Sequence, residues 1–242
     1  MPSLADLLPR RRAGRSRSRQ VSPSREQIVR TAIELADTDG REAISMRRIA
    51  AKLGIGAMTL YGYVADRDAL LAHMINEVVA ELGPPGPPSG NWRADLELHA
   101  HKFRDLCRRH QWLPAELGTS PFLIAPRLVG WAEFILAALE PFGIDLLTAG
   151  AVLRMLNNYV VGTTLREATE SRAAAMDDAA AYQAAVASYL NQLASSGRFP
   201  LMSKLALITL EGRGLDTDTS FNLGLHCLLD GVGALLHETA DG

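Results

Sequence analysis

Arg47, Thr59 and the outward residues between Ala57 and Tyr63 are the side chains of this 242-residue chain whose types and spacing suit chemistry on another molecule. An arginine near a helix N-terminus can present two N–H groups to O6 and N7 of guanine. A threonine can set its methyl against that of thymine. The chemistry they suggest is the reading of DNA base edges. Bond-making chemistry has no comparable set: the sequence contains no glycine-rich phosphate loop after a strand, no GxSxG, no His/Cys set at metal spacing and no carboxylate pair placed for acid/base work. The chain is therefore expected not to be an enzyme, and neither a cofactor nor a metal is expected.

The elements that must position these residues lie in Ser45 to Leu71, SMRRIAAKLGIGAMTLYGYVADRDALL. Ser45 can cap a helix whose inner face is Ile49, Ala50 and Leu53, and Gly54 can end it in a conformation that suits glycine. A short second helix from about Ala57 to Tyr63 turns Leu60 and Val64 inward and leaves Met58, Thr59, Tyr61, Gly62 and Tyr63 on the outer side. Ala50 lets the two helices cross closely, and the tight turn at Gly54 holds them near a right angle. Such a pair fits a DNA major groove.

Ile49, Ala50, Leu53, Gly54, Thr59, Leu60, Tyr61, Val64, Leu70 and Leu71 follow the pattern of the DNA-binding domain of the tetracycline-repressor family of bacterial transcriptional regulators, which this stretch resembles from about Ser24 to Leu82. The resemblance implies a DNA surface of Ser45, Met46, Arg47, Ala57, Met58, Thr59, Tyr61, Gly62, Tyr63 and Arg67, with Ser45, Tyr61, Tyr63 and Arg67 on phosphates. Ala57, Met58 and Gly62 depart from the polar or bulky residues of the tetracycline repressor itself, so a different operator sequence is expected. The implied function is that of a ligand-responsive regulator, a repressor that binds a pseudo-palindromic operator as a dimer and is released by a small molecule.

Charge is distributed in keeping with that reading. The net charge is −2, but residues 1–82 hold 13 Lys/Arg against 10 Asp/Glu, whereas residues 83–242 hold 12 against 17. Positive charge gathers around the DNA-binding element, as a phosphate partner requires. Residues 1–23 carry Arg10, Arg11, Arg12, Arg15, Arg17 and Arg19 among Ser, Gly and Pro, and are expected to be a disordered basic arm, either a solvated tail or one that lies along DNA and reaches the minor groove. No apolar run is long enough to span a bilayer and no secretory signal is evident, so a cytoplasmic location is expected. Cys107 and Cys227 stand alone in apolar helical patterns and are read as buried free thiols.

Strand-like alternation is absent throughout, and the fold is expected to be all-α: a helix-turn-helix domain over 24–82 and a helical effector-binding and dimerisation domain over 91–242. Ser24 and Gln27 form a possible capping box for the first helix, and Asp66 can cap a long connecting helix to Leu82 that GPPGPPSG (83–90) ends. Asn91 to Gln111 is predicted helical with Leu96, Leu98, Phe103, Leu106 and Cys107 as apolar positions, a short turn follows Pro114, and 118–121 reads as loop. Pro126 can open a helix and Asp145 a still more apolar one, expected to be buried on nearly every side. Residues 170–181 read as either a loop or a weakly held helix end; Tyr182–Ser195, Leu201–Leu210 and Phe221–Glu238 read as helices, with Gly224, Gly231 and Gly233 allowing close approach.

The helices over 145–169 and 221–238 are too apolar for one small bundle to cover, and the family resemblance implies that they pair with those of a second subunit. It also implies an effector cavity, with His99, Phe103, Glu116, Thr119, Trp131, Ile135, Leu153 and Asn157 as candidate contacts. Glu116 and Ser120 stand where the tetracycline repressor has a metal-binding histidine and its neighbouring arginine. With Phe103, Trp112 and Trp131 nearby, an apolar or aromatic effector is expected in place of a tetracycline–magnesium chelate.

Overall fold

Ser24 opens the first helix, α1 (Arg25–Asp39), with both halves of a capping box: its Oγ accepts from the Gln27 N–H at 3.2 Å, and Gln27 Oε1 accepts from the Ser24 N–H at 2.8 Å. The structure, a computed structural model, describes residues 23–119, 125–175 and 178–240. The basic arm up to residue 22 and Ser120 lie outside them. Among the described residues every regular element is helical, as expected.

Ser45 caps α2 (Met46–Lys52) through the Arg48 N–H, and the helix ends in a Schellman motif in which Gly54, at φ 69°, donates to Ala51 O and Ile55 donates to Ala50 O. A side chain at Gly54 would strain this turn, which sets the angle at which α3 (Ala57–Tyr61) leaves. Asp66 caps α4 (Arg67–Val79) through the Ala69 N–H at 2.7 Å. Ile28, Ala32, Ile49, Leu60, Leu70 and Met74 are each fully buried and close the core of this head.

Beyond Gly83 the chain continues in α5 (Trp92–Arg109), α6 (Leu113–Thr119), α7 (Pro126–Leu139), α8 (Leu146–Ala174), α9 (Ala179–Ser195), α10 (Pro200–Leu210) and α11 (Thr217–Ala240). Helix α5 lies against α7 and α8, and α4 reaches α7, so head and body share one continuous apolar core. Arg104 of α5 is buried under the ring of Phe221, 4.0 Å away, and with Arg108 binds Glu167 of α8 and Asp218 of α11. These three helices are thereby tied at one end.

Several expectations are corrected. Pro114 does not mark a turn: it stands in the first turn of α6, where its missing N–H has no intrahelical partner to lose. Leu98 is exposed. Within one chain α8 is not buried all round, since Leu146 and Leu147 are 72% and 86% exposed and only one stripe, from Ala149 to Ala168, is covered. Helix α8 runs to Ala174 and α9 starts at Ala179, so most of 170–181 is helical. Cys107 is buried, with burial pushing its thiol pKa up to about 12, but Cys227 is exposed. Gly224 does allow close approach as expected, here by α8 of the same chain: a Cβ there would fall 2.3 Å from the Tyr159 hydroxyl, which donates to Phe221 O at 2.7 Å. Helices α9 and α10 pack on each other, and α9 has no buried residue.

Candidate nucleic-acid interface and effector cavity

The outer face of the helix-turn-helix presents Arg47 from the first turn of α2, and Met58, Thr59 and Tyr61 from α3, all exposed; Met58 is 83% and Tyr61 46% exposed. Arg47 has no hydrogen bond or ion pair among the described residues, whereas its neighbour Arg48 is bound to Asp39 at 2.6 Å. Gly62 closes α3 at the surface, and Ala57, at the other end of the helix, is half-buried. Three of the candidates are placed otherwise. Met46 is buried and belongs to the core, because the first turn of α2 faces inward there. Tyr63 is half-buried against that core, and its carbonyl accepts from Arg25 Nε at 3.3 Å. Arg67 is half-exposed but engaged within the chain, donating to Ile44 O at 3.3 Å and to Glu116 Oε1 at 3.0 Å. Ser45 is committed to its capping bond.

A cavity of about 330 Å³ opens between α5, α6, α7 and α8. Of the eight candidate ligand contacts it brings together His99, Phe103, Trp131 and Asn157. The His99 ring stacks on Phe103 with centroids 5.6 Å apart and planes 11° apart, and lies 5.6 Å from Trp131. His99 Nε2 is 2.9 Å from Asn157 Oδ1. Burial lowers the His99 pKa against the opposing effect of that bond, which favours the neutral ring. Leu117, Gly118, Leu128, Asn158 and Val161 are among the other residues of the wall, and the sequence analysis did not single them out as ligand contacts.

The other candidates do not line this cavity. Ile135 is fully buried and Leu153 packs against the core from the side. Trp112, expected beside the cavity, is fully buried away from it and donates from Nε1 to Asp37 Oδ1 at 2.7 Å. Glu116, 2% exposed, accepts from Arg41 Nε at 2.7 Å and from Arg67, both in the head, so two guanidiniums already neutralise it and it is not poised to hold a cation. Thr119 donates to Ala115 O and receives Arg41 at 3.5 Å.

Glu116 thus belongs to a clasp between head and body that the sequence did not reveal, because its partners are 75 and 49 residues away. A second knot of the same clasp is His110, at the C-cap of α5. Its Nδ1 is 2.8 Å from Asp37 Oδ1 of α1 and its Nε2 is 2.9 Å from Glu81 Oε1. Burial alone depresses the His110 pKa, but the two carboxylate bonds outweigh it and the net shift is upward. Only the imidazolium has a proton for each carboxylate, and the C-terminal end of α5 favours the positive charge.

Residues 28–74 match the model for bacterial regulatory proteins of the tetR family, and residues 84–236 match that for the tetracyclin repressor-like C-terminal domain. Among curated proteins, the chain is 34% identical over 231 residues to the HTH-type transcriptional repressor DrrR1 of Streptomyces coeruleorubidus, covering 93% of this chain and 83% of that one. Among solved structures, apo ActR from Streptomyces coelicolor superposes with a TM-score of 0.71 at 26% identity over 90% of this chain and 98% of that one. ActR in complex with actinorhodin superposes with a TM-score of 0.70 at 25% identity over 88% and 98%.

Proposed function

The chain belongs to the tetracycline-repressor family of bacterial transcriptional regulators, and on that premise we propose that it represses its target by binding a pseudo-palindromic operator as a dimer and lets go when a small molecule fills the α5–α8 cavity. It is a DNA-binding regulator and not an enzyme. Arg47 carries the base-reading part of this assignment, as an exposed arginine beside the recognition helix without a partner among the described residues. Thr59 meets a thymine methyl and Tyr61 a phosphate, while Ser45 orients the α2 terminus.

A five-residue α3 touches few base pairs, so affinity requires two heads. The second subunit covers the outer faces of α8 and α11, where Leu146, Leu147, Met155 and Leu223 are exposed in the single chain. No described helix is long and apolar enough to cross a membrane, and the site of action is the cytoplasm, where operator DNA is found. The effector is apolar or aromatic and not a tetracycline–magnesium chelate, because Glu116 is held by arginines and the cavity wall is mostly apolar, with Phe103 and Trp131 in it.

Release follows from the placement of α6. Leu117 and Gly118 face the cavity, and Glu116 beside them holds Arg41 and Arg67 of the head. A ligand that moves α6 biases the head directly, in addition to any effect through α5, and it releases DNA only if it binds better to the geometry that misplaces the heads.

The test is fluorescence anisotropy with the DNA upstream of the protein's own coding sequence. Tight binding of this DNA over a scrambled duplex is expected. Arg47→Ala should weaken it by about 1–3 kcal/mol and relax preference at one position per half-site. Unchanged affinity and preference would remove Arg47 from base reading. Deleting residues 1–22 should lower the magnitude of the salt slope by roughly 0.9 for each phosphate that the arm neutralises.

A further inference from the structure

The arginines of the head fall into three kinds. Arg41, Arg48 and Arg67 are spent on carboxylates of the chain, whereas Arg30 and Arg47 are exposed without a partner among the described residues. Arg25, in the first turn of α1, belongs to neither group: it is exposed, and its Nε donates to the backbone carbonyl of Tyr63, 38 residues away, at 3.3 Å. Tyr63 follows the recognition helix α3. Its carbonyl is a firm mount, because its own N–H donates to Leu60 O at 2.9 Å and its side chain packs half-buried against the core. A neutral carbonyl locates the guanidinium without cancelling its charge. The Glu26 carboxyl beside it is held low first by a hydrogen bond from Ser24, with Arg25 the last of the causes, and makes no ion pair with Arg25 among the described residues.

We propose that Arg25 is a phosphate contact of the DNA interface: with Nε held on Tyr63 O, it offers its two Nη groups as a fork to a backbone phosphate at the edge of the groove that α3 enters. The proposal rests on reading the helix-turn-helix as the DNA-binding face, and it adds a residue that lies outside the motif. Helix α3 is about 7.5 Å long. A guanidinium held at the turn that ends it therefore stands beside the same stretch of duplex that Thr59 and Tyr61 face. One N–H of the guanidinium is used on the carbonyl, and the outer edge keeps the paired N–H groups that match a phosphate. Pinning also removes in advance part of the rotamer freedom that a loose arginine such as Arg30 loses on binding. Such a contact sets the position of the head on the duplex and carries no sequence information, unlike Arg47.

The experiment is the salt dependence of duplex binding by the full chain, followed by fluorescence anisotropy between about 50 and 200 mM salt with the upstream DNA and a scrambled duplex. The proteins are the wild type, Arg25→Ala, Arg25→Gln and Arg30→Ala. Arg25→Gln keeps an N–H for Tyr63 O and loses the charge, while Arg30→Ala makes the same change in net charge at an unpinned site on the same helix. Both Arg25 variants should bind the two duplexes about tenfold more weakly, with the ratio between the duplexes unchanged. They should also lower the magnitude of the salt slope by roughly 0.9 per half-site, and Arg30→Ala should leave the slope near the wild-type value. A slope that is unchanged in Arg25→Gln, or moved no further than in Arg30→Ala, overturns the phosphate contact and leaves Arg25 as a support for α3. A loss of sequence preference at unchanged slope overturns it as well. A wild type that binds both duplexes equally overturns the operator reading alone, and the slopes still decide Arg25; a wild type that binds neither overturns the DNA-binding reading and this contact with it.

Discussion

Two histidines of one helix mark two regions that handle buried polarity in opposite ways. At His99 the surroundings are Phe103 and Trp131, one ring nitrogen is bonded to an amide oxygen, and the other is left as a bare acceptor. At His110 both ring nitrogens meet carboxylates, one from the head and one from the end of the connecting segment, and Arg109 binds the second of these as well. The first region is apolar with one unspent hydrogen-bonding atom. The second is charged and its histidine is saturated. Saturation favours a single geometry, which is what a joint between head and body needs. Helix α6 spans the difference within three residues, with Glu116 in the charged clasp and Leu117 and Gly118 in the cavity wall.

The comparison is broken most severely from the cavity side. Trp131 is 3% exposed and packs on Phe134 and His99, so Trp131→Ala should cost about 3–5 kcal/mol in urea unfolding and widen the cavity. A cost below about 1 kcal/mol would mean that the wall collapses to fill the gap. On the clasp side, Glu116→Ala strips two guanidiniums of a shared buried carboxylate. Both arginines are more than a third exposed, so solvent screens the loss and about 1–2 kcal/mol is expected. The larger consequence is functional: the variant should still bind a planar aromatic probe such as 2-naphthol but should release operator much less in response. Full release by a Glu116→Ala protein would take the clasp out of the signalling route.

The smallest effect is in the pH dependence, and it separates the two histidines by sign. His99 has its pKa lowered below the ordinary imidazole value of 6.5, so the unfolded chain binds its proton first and stability falls as pH drops below about 6.5. His110 has its pKa raised, so its contribution is fully present below 6.5 and is lost as pH rises through its folded value. Thermal melts across about pH 5–9 should show the alkaline limb flattened in His110→Gln and the acid limb flattened in His99→Phe. If either substitution flattens the other limb, the assignment of the two environments is reversed.

The head is legible in the sequence because its signals are local. Ser24 with Gln27, Ser45, Gly54 and Asp66 each act within four residues, and the structure puts all of them to the use their spacing suggests. The cavity is half legible. His99, Phe103, Trp131 and Asn157 follow from the family resemblance alone, but α6 is hidden, because Pro114 reads as a breaker when it sits in a first helical turn. The clasp is not legible at all. Its bonds join residues 29 to 75 positions apart, and a lone carboxylate such as Glu116 carries no mark in the sequence of the arginines that will find it. The family resemblance points Arg67 to phosphate, and nothing local in the sequence announces its bonds to Ile44 and Glu116. It overstates the burial of α8, since an apolar helix shows how much cover it needs but not from which chain the cover comes.

The central claim is that filling the cavity and holding operator DNA are coupled states of one molecule. Coupling of this kind is reciprocal. The direct measurement is the affinity of 2-naphthol for the free protein and for the protein saturated with its operator, set beside the affinity of the operator with and without saturating 2-naphthol. Both ratios should equal the same factor, between roughly 5 and 150, with each ligand weakening the other. A probe that binds the free and the operator-bound protein equally well, while the operator affinity is unmoved, would contradict the account.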